Sequence, residues 1–179
     1  RKIYPHIQVH IKTTNDQVDF LASGFDMAVF PKVSDVQDVI QRKIFTSHHF
    51  LFASPAYLKN HGTPKTIDEL INHQLISFHM LRDKSHQGPI DWHIDLLGRD
   101  TLAPVISVNS AIGVLYAVKQ GLGIGLLPST LPFIKESKLV QLFDQTMGVD
   151  VDIFFIAKKE EHLQGDSPVA GFYKILTQK

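Results

Sequence analysis

The stretch AVKQGLGIGLLP, residues 117–128, ends a helix on Gly121 and runs at once into an apolar strand closed by Pro128. Glycine just past a helical run supplies the left-handed residue of a C-terminal cap. Gly123 and Gly125 lack a Cβ and so let a helix pack closely on the strand. All three glycines therefore read as structural. Only the strand end, with Leu126, Leu127 and Pro128, reads as a candidate ligand edge. The run GLGIG imitates a dinucleotide fingerprint, but its glycines precede a strand, where the fingerprint needs them after a strand and before a helix.

Working outward, APVISVN (103–109) is a strand, and Asn109-Ser110 caps the helix AIGVLYAVKQ (111–120). Downstream, STLPFIKESK (129–138) reads as a short helix despite Pro132, LVQLF (139–143) as a short strand and VDIFFIAKK (151–159) as a strong one. SPVAGFYKILTQ (167–178) closes the chain as a helix with Val169, Phe172, Tyr173 and Leu176 on one stripe.

In the first half, Ile7, Val9 and Ile11 alternate with polar residues, which predicts a half-buried strand. DQVDFLASGFD (16–26) predicts a helix with Asp16 as N-cap and Gly24 as its stop. DMAVF (26–30) is a strand ended by Pro31, and strand, helix, strand suggests a parallel α/β unit. VSDVQDVIQRK (33–43) reads as a loop and KIFTSHHFLFASP (43–55) as a long strand. Ser54-Pro55 then opens the helix AYLKNHG, closed by Gly62. Thr66 and Glu69 have capping-box spacing, with Ile67, Leu70 and Ile71 on one face. QLISFHM (74–80) is a strand, LRDKSHQGPI a polar loop, and Trp92 and Ile94 lie in a strand-like piece. There is no internal repeat.

Two α/β lobes follow, with the long strands near 44–53 and 151–157 as crossovers. The expected boundaries are 1–49 with 156–179 for lobe I and 50–155 for lobe II. The 179 residues include 18 Lys plus Arg, 18 Asp plus Glu and no cysteine. Zero net charge argues against DNA binding by this chain alone. Without cysteine there are no disulfides, thiolate metal sites or cysteine nucleophile. No apolar run approaches the roughly 20 residues of a membrane helix. The chain opens at RKIYPHIQVHI without a methionine, so it reads as part of something longer.

Four segments in order, DFLASGFDMAVF, FLFASPAYLKNHGTPKTIDELINHQLISF, VISVNSAIGVLYAVKQGLGIGLLPSTL and LVQLF, resemble the effector-binding domain of LysR-type transcriptional regulators. The pairing of ASPAYLKNHGTP with AVKQGLGIGLLP is the most specific part. The resemblance implies an α/β fold of two Rossmann-like lobes joined by crossover strands, like type 2 periplasmic binding proteins, closing on a small molecule. It implies a sensor of the cytoplasm, without cofactor or catalysis, whose DNA-binding head and first strand are missing here. It also implies a homodimer or tetramer, with residues 17–24 of one copy near 111–120 of another. A solute-binding protein of an uptake system is the alternative on the same fold. An enzyme would need an acid, base or nucleophile focused on the cleft, and none stands out.

The expected effector residues follow. Ser54 and Pro55 open one helix and Asn109 and Ser110 another; each pair is explained by capping alone, yet if their strands are parallel neighbours the two N-termini point at one space, and such convergence favours a carboxylate or similar anion. Phe78 and His79 are carried over from the resemblance, although Phe78 also suits a core. Leu126 and Pro128 stand at the strand end, and Phe30 suggests an apolar wall. The ten histidines do not make a metal site: His6 and His10 alternate on a strand, and His48 and His49 point to opposite faces.

Overall fold

A computed structural model describes residues 5–14, 19–33, 38–78, 91–95, 103–144, 147–158, 165 and 167–177. The chain divides into two compact units, residues 1–46 with 152–179 and residues 47–151. The long strands β2 (Val39–Ala53) and β7 (Val149–Lys158) each run from one unit into the other and are neighbours in the sheet. The sequence boundaries at 49/50 and 155/156 fall in these same two strands.

In the first unit, β1 (Met27–Pro31) pairs antiparallel with β7, from Met27 opposite Ala157 to Pro31 opposite Ile153. The parallel unit expected around β1 is thus not the observed pairing. Pro31 belongs to the strand itself, which is tolerable at the end of an edge strand because a missing N–H there breaks no ladder. Residues 7–12 are irregular rather than extended in a sheet, with Val9 51% and Ile11 83% exposed. Alternation marks a face, but a strand also needs a neighbour to take its backbone hydrogen bonds, and no described strand pairs with this one.

The helix expected over 16–24 is, in its described part, one turn. Ser23 N–H donates to the Asp19 carbonyl at 2.9 Å, and the Asp19 side chain accepts from Ala22 N–H at 3.0 Å, while the expected cap Asp16 lies outside the described residues. Residues 15–18 lie outside the described residues. Helix α4 (Pro168–Thr177) begins at Ser167, whose hydroxyl accepts from Ala170 N–H at 3.1 Å. Its buried residues are Ala170 and Gly171, with Tyr173 tilted on Phe155 at 5.1 Å. The larger stripe residue Leu176 is exposed.

The second unit is built on β5 (Ile124–Pro128), the strand of the opening stretch. On one side β2 runs antiparallel to it, from His49 opposite Pro128 to Phe52 opposite Gly125. On the other side β3 (Leu75–Ser77) runs parallel, and β4 (Ile106–Ser107) runs parallel to β3. The short β6 (Val140–Leu142) adds to β2. Alternate residues divide the core between the two faces. Leu51, Ala53, Leu75, Ile124 and Leu126 pack with Tyr57, Leu70 and Ile94. Phe52, Ile76 and Leu127 pack with Val114, Leu115, Ala117, Val118 and Ile134. A strand apolar at every position is what a sheet covered on both faces requires.

The helices follow their caps. Helix α1 (Pro55–His61) starts at Ser54 and stops at Gly62, φ 85°. Helix α3 (Ala111–Lys119) starts at Ser110. It ends as a Schellman motif, Gly121 N–H to the Val118 carbonyl and Leu122 N–H to the Ala117 carbonyl, with Gly121 at φ 75°.

Four expectations fail here. Residues 39–43, read as a loop, already belong to β2. The Thr66–Glu69 capping box does not form: a 3-10 helix spans Asp68–Asn72, and Glu69 accepts from Lys65 N–H at 2.8 Å. Trp92 and Ile94 stand in a short helix α2 (Trp92–Asp95), where buried Ile94 reaches the core as one side of a helical turn. Residues 129–138 form successive turns, with Phe133 and Lys138 at positive φ, and only Ile134 is buried.

Candidate functional site

Strand direction decides which residues share an edge. Because β3, β4 and β5 are parallel, their carboxyl ends lie together. Phe78 follows β3, Asn109 and Ser110 follow β4, and Pro128 ends β5. The antiparallel β2 adds His49 beside Pro128, and Ser129 N–H donates to the His48 carbonyl at 2.8 Å.

Ser110 is the N-cap of α3, its hydroxyl accepting from Gly113 N–H at 3.0 Å. Asn109, exposed, precedes it. A helix N-terminus carries partial positive charge from unpaired N–H groups and favours an anion. Phe78 is half-buried against the face that holds α3, and its N–H donates to Asp91 Oδ1 at 3.0 Å. His79 lies outside the described residues. Phe30 stands in the first unit, opposite Phe154 in the β1–β7 ladder.

Ser54 and Pro55 are elsewhere. β2 runs against β5, so its carboxyl end meets the amino end of β5. Ser54 is buried there as an N-cap, accepting from Tyr57 N–H at 3.2 Å, and a Cβ on Gly121 would stand 3.4 Å from its hydroxyl. The two caps therefore do not converge, which corrects the expectation built on parallel neighbours. Leu126 is also corrected: it is buried in the core on the α1 face, away from the edge.

Three residues at this edge escaped the sequence reading. Ser77 and Asp91 are both buried and joined by a 2.5 Å hydrogen bond from Ser77 Oγ to Asp91 Oδ2. Asp91 sits beyond a polar stretch, so no periodicity marks its partner in β3. His49 lies on the face opposite His48. Its Nδ1 is 3.1 Å from the Ser47 carbonyl, and burial lowers its pKa, against the Ser47 and Val149 backbone and Asp150. His48 instead pairs with Asp150 at 2.6 Å in the open. In the first unit, hydrogen bonds from Lys43 and Thr46 hold exposed Asp152 below the usual carboxylate range. Among the described residues no group of three or more His, Asp or Glu is placed to hold a metal ion, and no helix is long and apolar enough to cross a membrane.

The family model described as "LysR substrate binding domain" matches residues 1–178. An uncharacterized HTH-type transcriptional regulator of Haemophilus influenzae is 24% identical over 165 residues, which cover 89% of this chain and 56% of that protein. The HTH-type transcriptional regulator CrgA of Neisseria meningitidis is 32% identical over 75 residues, 42% of this chain and 25% of that one. The chain thus spans about half or less of the length of these relatives. Among solved structures, the regulatory domain of CrgA superposes with a TM-score of 0.75 at 22% identity, over 98% of this chain and 85% of that one. Full-length AphB, a virulence activator of Vibrio cholerae, gives 0.71 at 24% identity, over 98% of this chain and 59% of that one. These likenesses carry the fold, of the type 2 periplasmic-binding kind; the family match carries the kinship, and it sets the uptake-protein alternative and the enzyme reading aside. The chain belongs to the LysR substrate-binding domain family and is the effector-binding regulatory domain of a LysR-type transcriptional regulator.

Proposed function

We propose that the effector is a small anion that docks on the second unit at the carboxyl ends of β3, β4 and β5. The observation that carries this is the meeting of three parallel strand ends with the capped N-terminus of α3. Asn109, Ser110 and the first N–H groups of α3 would take the anionic group. Phe78 and Pro128 would border the apolar part, and His79 follows Phe78 in the chain. Ser54, Pro55 and Leu126 have no part in this reading, because the fold puts them at the other end of the sheet or in the core.

The test is a panel of small carboxylates added to the isotope-labelled chain, followed by amide chemical shifts. Shifts centred on residues 109–113 are expected, and Ser110→Ala should weaken binding about tenfold, the scale of one hydrogen bond to a charged group. Shifts centred on α1 instead would sink the reading.

The whole protein would be a cytoplasmic regulator whose DNA contact belongs to a segment outside these 179 residues, in keeping with their zero net charge. We further infer that copies associate through residues 17–24 of one against 111–120 of another. In support, Ile112 and Tyr116 on α3 are 45% and 59% exposed, and Leu21 is exposed too. Large apolar groups held in water on one helix face suit an interface.

A further inference from the structure

Asp91 is a buried carboxylate with both oxygens engaged at the end of β3. Oδ2 accepts from Ser77 Oγ and Oδ1 from Phe78 N–H. The pair of bonds fixes the last strand residue and the first residue beyond it. Phe78 N–H, past the end of the ladder, would otherwise be a half-buried donor in need of a partner.

Two residues on, in α2, His93 is wholly buried, and among the described residues neither ring nitrogen has a hydrogen-bond partner. The charged groups facing it are Asp91 and Asp95 of its own segment. From β3 it faces the Ile76 backbone, with no hydrogen bond completed, and the Trp92 ring stands edge-on at 6.0 Å. A neutral imidazole must still carry one N–H, and an imidazolium carries two. A buried ring that completes no hydrogen bond among the described residues is therefore poised beside acceptors, the Asp91 and Asp95 carboxylates and the Ile76 backbone, of which Asp91 is the one that holds the end of β3. Burial lowers the His93 pKa, and Asp91 opposes this. Near neutral pH the ring is uncharged and Asp91 belongs wholly to β3.

We propose that Asp91 is a positioning residue for the effector edge and that His93 is its proton-operated release. Once protonated, His93 draws the Asp91 carboxylate away from Phe78 N–H, and the carboxyl end of β3 loosens. The proposal gains its regulatory meaning from the effector edge described above, but its chemistry is independent of any ligand. Acid would then weaken effector binding through a residue that never touches the effector.

The experiment is amide hydrogen exchange of the unliganded chain from pH 7.5 to pH 5, corrected for the intrinsic exchange rate, with the His93 imidazole shifts followed in the same samples. Protection of Phe78 N–H is expected to fall about tenfold in step with the His93 titration. Val114 N–H, bonded to the Ser110 carbonyl at 3.0 Å, should not change and serves as the control. Asp91→Ala should lower Phe78 protection at every pH. His93→Gln should keep the protection and remove its pH dependence. Phe78 protection that stays level across this range in the native chain overturns the proposal. So does a pH dependence that survives in His93→Gln. Should that variant fail to fold, the paired titrations in the native chain decide. Loss of the effector edge would show instead as carboxylates shifting other residues while Phe78 still follows His93.

Discussion

At the residue scale, two glycines test different physics. A Cβ on Gly123 would stand 2.4 Å from the Gln74 carbonyl oxygen, a backbone atom that cannot step aside. Gly123→Ala should therefore destabilise by about 1–3 kcal/mol, the usual range for forced overpacking. Gly24 has nothing within 4 Å of a Cβ but sits at φ 74°. Gly24→Ala should lose only about 1 kcal/mol, from left-handed backbone alone. Urea denaturation of both variants against the native chain checks the order. A Gly24 variant weaker than the Gly123 variant would mean that strand spacing is looser than these contacts indicate.

Three histidines, His93 buried and His49 and His73 half-buried, have a readable sign. His49, His73 and His93 all have pKa values lowered below 6.5, in each case by burial first. The unfolded chain then binds protons that the folded chain refuses. Stability is full above pH 6.5 and falls as the pH drops from there toward the lowered values. Asp152, lowered by its hydrogen bonds, adds a dependence only further down, below its ordinary 3.8. Urea midpoints at pH 7.5 and pH 5 should show the loss. His93→Phe should reduce the slope between them. An equal slope in that variant would assign the effect to the other two rings.

At the scale of elements, the two serine caps look alike in the sequence and differ in place. Ser54→Ala and Ser110→Ala should each destabilise by about 1 kcal/mol, since each removes one acceptor from a helix N-terminus. Only Ser110→Ala should also weaken a carboxylate. Thermal denaturation reads the first effect and amide shift titration the second. Equal loss of binding in both variants would contradict the separation imposed by the antiparallel β2–β5 pairing. The caps themselves were legible, because hydroxyl, proline and glycine act within four residues of where they stand. The direction of β2 was not, because a strand's sense relative to its neighbour leaves no mark in its own residues. The same limit explains α2. Trp92 and Ile94 are two apart, a strand's spacing, yet the short helix buries Ile94 and leaves Trp92 half-buried.

At the scale of the whole molecule, the exposed α3 face makes a test of association. Tyr116→Glu puts a charge at its most open apolar position and should shift sedimentation from a multimer to the monomer mass. The fold should survive, since Tyr116 lies outside the core. A native chain that already sediments as a monomer at high concentration would remove support for pairing through α3.

By themselves, the residues determined part of the local grammar of this protein: the serine starts and glycine stops of α1 and α3, which strand is covered on both faces, and that two long strands run between the halves. Those are short-range matters of backbone freedom, capping and the period of apolar side chains. They also carried the family, through segments whose order spans the chain. Tertiary structure alone decided which candidates meet. It set Ser110, Phe78 and Pro128 on one edge and Ser54 on the other, drew Leu126 into the core, and joined Asp91 to Ser77 across 14 residues. Such outcomes depend on strand direction and on buried hydrogen bonds between distant residues. Both are properties of the assembled sheet, not of any segment within it.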